Sequence, residues 1–118
     1  MICIPVVAAT QAEALQFIDR SVGLADILEL RMDLLADGKL SGLMAAVRSV
    51  APAVQVLVTN RPRSAASASG EKERIDVLME AVSLGADFVD VELATATRWR
   101  GKVCALIGEN HDRTRLIV

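Results

Sequence analysis

Short apolar runs rich in Val, Ile and Leu alternate with longer stretches of helical periodicity along the whole chain. The strand-like runs cover residues 2–8, 26–30, 54–59, 87–93 and 115–118. Most of them are continuously apolar, the pattern of parallel strands covered on both faces. Between them, Leu40, Leu43, Met44, Val47 and Ala51 recur at the i, i+3, i+4, i+7 spacing of an amphipathic helix. So do Ile75, Leu78, Met79 and Val82, and again Trp99, Val103, Leu106 and Ile107. A further helix over residues 11–22 is carried by Leu15, Ile18 and Val22. Gly23 and Gly85 stand where helix C-caps belong, and Pro52 closes the second helical stretch. Ser69 or Gly70 can open the third, with Glu71 and Glu73 in its positive first turn.

Strand–helix alternation predicts a parallel α/β sheet with right-handed crossovers, in a single domain spanning residues 1–118. Two architectures compete. A (β/α)8 barrel takes about 250 residues, so this chain would supply about half of one. An open five-stranded doubly wound sheet fits the length without remainder. Half a barrel would leave two unpaired strand edges and an exposed inner face, which predicts self-association into a homo-oligomer.

Composition narrows the function. The 118 residues are 53% hydrophobic with a net charge of −2, so the chain is neither disordered nor basic enough to hold nucleic acid or an anionic membrane surface. Aromatic residues make up 3%, too few for base-stacking platforms. No apolar run reaches the ~20 residues of a membrane span. The first residues read as a strand and not as a signal peptide, which points to the cytoplasm. Cys3 and Cys104 lack a neighbouring metal ligand or CxxC spacing, and are expected to be buried thiols.

The chemistry is concentrated at strand ends. Side chains alternate along a strand, so Glu29 and Arg31 share one face, as do Thr59 and Arg61, and as do Asp90 and Glu92. Three consecutive strands thus end in polar groups on a single side, where parallel α/β folds bind ligands. Arginines that grip carboxylates, beside carboxylates that accept from hydroxyls, suit a small anionic ligand bearing hydroxyl groups. Structural ion pairs that merely orient the strand ends are the simpler alternative. The rest of the catalytic inventory is thin. His111 falls before the last strand, at the amino end of the sheet. Lys39, Lys72 and Lys102 lie in or beside helices. The loop over residues 61–70 is rich in small residues and reads as a solvated connection or a flap, and it lacks the pattern of a P-loop.

Several segments together resemble one family. Met1-Ile2-Cys3-Ile4-Pro5-Val6, followed by Ala25-Asp26-Ile27-Leu28-Glu29-Leu30-Arg31-Met32-Asp33, resembles the opening of type I 3-dehydroquinate dehydratases. Val56-Leu57-Val58-Thr59-Asn60-Arg61 resembles their third strand. Glu73-Arg74-Ile75 with Leu78, then Gly85-Ala86-Asp87-Phe88-Val89-Asp90-Val91-Glu92-Leu93, resembles the helix and strand that follow, and Thr114-Arg115-Leu116-Ile117-Val118 the start of the fifth strand.

The resemblance implies the amino-terminal half of a (β/α)8 barrel, in a family that is usually dimeric and needs no metal or dissociable cofactor. It implies 3-dehydroquinate as the small-molecule substrate, dehydrated through a lysine imine with a histidine as proton shuttle. Glu29, Arg31 and Arg61 correspond to substrate-contacting residues, and Glu92 to an inward-facing residue beside the site. The family's histidine and lysine come later in its order than Val118, so the chain alone is expected to be inactive. Relatives also carry a glutamate soon after the third-strand arginine, where this chain has Ser64-Ala65-Ala66-Ser67-Ala68-Ser69. Two other readings belong to different classes. A barrel-derived interaction or ligand-binding module needs no catalytic residues. A receiver-like signalling domain would want acidic strand ends, where this chain has Ala8-Ala9-Thr10 and Thr59-Asn60-Arg61.

Overall fold

In the computed structural model, residues 1–62, 70–95 and 97–118 are described. The chain runs β1 (Cys3–Val6), α1 (Gln11–Ser21), β2 (Ile27–Arg31), a one-turn 3-10 helix (Met32–Leu34), α2 (Leu40–Val50), β3 (Gln55–Thr59), α3 (Glu71–Ser83), β4 (Phe88–Asp90), α4 (Thr97–Glu109) and β5 (Arg115–Ile117). All strand pairs are parallel, in the spatial order β1-β2-β3-β4-β5.

That order separates the two architectures. A doubly wound sheet reverses direction at a switch point and so carries helices on both faces. Here every strand is laid beside its predecessor in the same sense. Right-handed crossovers then place all four helices on one side, as in the wall of a barrel. The open doubly wound alternative is therefore corrected: the fold is a partial (β/α) barrel.

Burial follows from this one-sided cover. Val6, Leu28, Leu30, Val56, Val58, Val89 and Val91 point at the helices and join Ala14, Ile18, Leu43, Val47, Ile75, Leu78, Val82 and Val103 in one core. The alternate residues point to the other, concave face. The register aligns Pro5, Glu29, Leu57, Phe88 and Arg115 as one row there, and Arg31, Thr59, Asp90 and Ile117 as the next.

Local chemistry sets the element boundaries. Thr10 caps α1 by accepting from the Glu13 N–H at 3.2 Å, while the Glu13 carboxylate accepts from the Ala9 N–H. This is close to a capping box. Gly85 takes φ +82 after α3, a conformation that favours glycine. Gly23 follows α1 without positive φ, because the α1 cap at Val22 is still right-handed.

Several expectations need correction. Cys3 and Cys104 are both exposed. Cys3 lies on the concave face, which no helix covers. Leu15 is exposed, and Ala14, Ile18 and Ser21 carry the buried side of α1; the apolar stripe is turned by one residue. The hydrogen-bonded strands are shorter than their apolar runs, most clearly in β4, because pairing ends before the hydrophobic pattern does. Gly70 is the N-cap of α3. Ser69 and most of the loop over residues 61–70 lie outside the described residues.

Candidate functional site

Strands β2, β3 and β4 carry their last inward-facing side chains to a common end. Thr59 is fully buried, and its hydroxyl donates to the Glu29 carboxylate at 3.4 Å. Arg31 lies beside Glu29, Nη1 to Oε1 4.0 Å. From β3, Arg61 reaches across to β4, with Nη2 3.1 Å from Asp90 Oδ2 and Nε 4.0 Å from Glu92 Oε1. Glu29, Arg31, Thr59, Arg61, Asp90 and Glu92 therefore form one polar crown, as the alternation predicts.

Asp33 shares the odd parity of Glu29 and Arg31, but β2 ends at Arg31 and a turn sets its place. The 3-10 turn after β2 folds it back under Arg31. Its two oxygens accept from Arg31 Nε at 3.1 Å and Nη2 at 2.8 Å, a bidentate pair. The Asp33 side chain is only 8% exposed. Burial alone would push its carboxyl up. Hydrogen bonds from Arg31, from its own backbone N–H and from the Arg61 backbone N–H, with the charge of Arg31, outweigh that and hold it below the ordinary value. Arg31 is raised in turn, first by its hydrogen bond to Asp33. Asp33 thus ties the arginines of two strands together. The Arg31-x-Asp33 spacing was visible in the sequence; the turn that makes it a clamp was not.

The two arginines differ in what they leave open. Arg31 commits its Nε/Nη2 edge to Asp33 and keeps Nη1 turned toward Glu29. Arg61 is half exposed and holds Asp90 through one nitrogen. A carboxylate or hydroxyl arriving at the crown would meet Arg61 with donors to spare. By count the crown holds four carboxylates (Glu29, Asp33, Asp90, Glu92) and two guanidiniums (Arg31, Arg61), a surplus of negative charge. The Cys3 thiol, at the foot of the same face, is pushed up by burial and then by the charge of Glu29, so it is a poor nucleophile.

Among the described residues, no lysine forms an ion pair with a carboxylate of the crown. Lys39 is the N-cap of α2, Lys72 pairs with Asp76 along α3, and Lys102 stacks over Trp99 on α4. His111 follows α4 with φ 61, at the amino end of the sheet. A recess of about 540 Å³ opens at that same amino end, lined by residues such as Met1, Asp26 and Gln55, away from the crown.

Comparison with known proteins matches this arrangement to one group. A profile of the family described as type I 3-dehydroquinase matches residues 2–118. The 3-dehydroquinate dehydratase of Methanothermobacter thermautotrophicus is 38% identical over 98 residues, which are 80% of this chain and 43% of that protein. A type I 3-dehydroquinate dehydratase from Clostridium difficile, solved with covalently modified comenic acid, superposes with a TM-score of 0.75 at 19% identity. The superposition covers 98% of this chain and 48% of that one. This chain therefore spans less than half the length of the relatives it matches.

Proposed function

Because this chain belongs to the type I 3-dehydroquinase family, we propose that its crown is the substrate-gripping part of a 3-dehydroquinate dehydratase pocket. Arg61 and Nη1 of Arg31, which only the more distant Glu29 engages, hold the carboxylate and hydroxyl oxygens of 3-dehydroquinate. Glu29 accepts from a hydroxyl and steadies Arg31. Asp33 positions both arginines, and Asp90 holds Arg61 until substrate competes for it. The observation that carries this reading is the convergence of β2, β3 and β4 on one row of guanidiniums and carboxylates.

Dehydration in this family's manner needs an amine to form an imine with the ketone and a base to take the neighbouring proton. Among the described residues no lysine pairs with the crown: Lys72 pairs with Asp76 and Lys102 stacks over Trp99, while His111 follows α4 at the amino end of the sheet. The chain by itself therefore binds substrate without converting it.

Titration with 3-dehydroquinate followed by amide NMR tests both halves of the proposal. Shifts are expected in residues 29–33, 59–61 and 90–92. Arg61→Ala should weaken binding roughly tenfold, the loss of one charge-assisted contact. Borohydride treatment should leave the mass of the chain unchanged. Shifts confined to the amino-end recess would overturn the binding site, and a trapped adduct would overturn the inactivity.

A further inference from the structure

Three successive residues at the end of β3 tie it to three different elements. The Thr59 hydroxyl donates to Glu29 of β2 at 3.4 Å. The Asn60 side chain donates through Nδ2 to the Arg74 carbonyl, in the first turn of α3, at 3.2 Å. The Arg61 guanidinium donates to Asp90 of β4 at 3.1 Å. The first and third ties lie within the crown. The second leaves it, and no charge is involved.

Arg61 needs such help. Strand pairing ends at Thr59, which is in register with Arg31 and Asp90, so no ladder holds the main chain two residues further on. The guanidinium is half exposed and has one close carboxylate, with Glu92 at 4.0 Å. A long side chain held by one contact near its tip keeps much of its rotamer freedom. Its reach is then set by the peptide it springs from. That peptide is gripped from two sides. Its N–H, the Arg61 N–H, donates to the Asp33 carboxylate in the turn after β2. On its other side stands Asn60, half-buried and bonded to α3.

We infer that Asn60 is a positioning residue for Arg61. Its amide fixes the Asn60–Arg61 peptide between α3 and the turn after β2, and so aims the guanidinium across to β4. The carbonyl of Arg74 can only accept, so the group facing it is the amide nitrogen. The tie has little to add to α3. That helix is already seated by Ile75, Leu78, Ala81 and Val82, all buried, and the Arg74 side chain is itself mostly covered beside Glu71. The weaker partner is the tail of β3, and the constraint falls there. A misplaced grip costs binding even when no contact to the ligand is removed. The inference rests on the crown being the grip for 3-dehydroquinate.

Titration of the full chain with 3-dehydroquinate, with NMR detection of the arginine Nε–H groups, is the test. Asn60→Ala should weaken binding roughly fivefold, the effect of one neutral hydrogen bond. It should also move the Arg61 Nε–H resonance toward that of a free arginine. The Arg31 Nε–H, which Asp33 holds, should stay in place. In an Arg61→Ala background the same substitution should change affinity by less than about twofold, because no guanidinium is left to aim. Asn60→Leu, close to asparagine in volume and without a donor, should behave as Asn60→Ala does, and it carries the test if the alanine variant does not fold. A tie that only fastens α3 would lower the melting temperature with affinity and the Arg61 resonance unchanged; that result overturns the inference. So does an equal loss of affinity in the Arg61→Ala background. If the parent chain binds no 3-dehydroquinate, the reading of the crown fails, and the Arg61 resonance of the free chain still decides whether Asn60 sets its place.

Discussion

At the scale of single residues, Asp33 decides the geometry of the crown. A guanidinium is held by two nitrogens only when a carboxylate is fixed in its plane, and Asp33 is fixed by the turn and by Arg61's main chain. Asp33→Ala should cost about 1–3 kcal/mol, since it strands a part-buried arginine. It should also lower affinity at the crown by freeing Arg31 to pair with Glu29. Asp33→Asn keeps the shape and loses the charge, which separates the two effects. The pH dependence has a definite sign. The folded carboxyl lies below its ordinary 3.8, so its contribution is complete above that value and is lost as pH falls through the folded pKa. Denaturant melts should therefore show a shallower loss of stability below about pH 4 in Asp33→Asn than in the parent; identical acid limbs would contradict the clamp. Glu29, Arg31 and Arg61 were legible from alternation alone, because a strand sends every second side chain the same way. Asp33 has the same parity, but its role as a clamp was not legible, since it needs a turn that alternation does not encode. Cys3 was misread because a thiol in an apolar strand looks like core until the uncovered face is known.

At the scale of elements, the amino ends of the even strands are pinned by a repeated device. Asp26, just before β2, accepts from the Ile2 N–H at 2.6 Å, and Asp87, just before β4, accepts from the Val56 N–H at 2.8 Å. Each carboxylate satisfies a main-chain donor at or just before the start of the preceding strand and so fixes register. Asp87 is held in turn by Arg48, whose guanidinium also donates to the carbonyls of Val54 and Gly85. One side chain of α2 thereby joins the loop before β3 to the turn before β4. Arg48→Ala should cost about 1–2 kcal/mol, and Gly85→Ala about 1 kcal/mol for its positive φ. Leu78→Ala, fully buried in α3, should cost about 2–5 kcal/mol. Thermal melts that rank Arg48→Ala with ordinary surface changes would remove the pin. The existence and type of every strand and α-helix were legible from periodicity, whereas the 3-10 turn at Met32–Leu34 was not. The strand order was not: right-handed crossovers are equally consistent with a sheet that keeps advancing and one that reverses, and only the side chosen by each helix decides.

At the scale of the molecule, half of a barrel wall has to hold itself together. Its radius of gyration is 13.6 Å, close to the roughly 13.5 Å of a compact domain of this length. The helices therefore give the wall a core of its own, but protection within it is unequal. Leu28, Val56 and Val58 are wholly buried between paired strands and helices. At β5 Leu116 packs on the core only half-buried, and α4 buries Val103 and Ile107 with Trp99 and Leu106 half-buried beside them. Opening free energies follow buried contacts. Hydrogen exchange should therefore be slowest at the amides of β2 and β3 and fastest at those of β5, and equal protection across the sheet would contradict this grading.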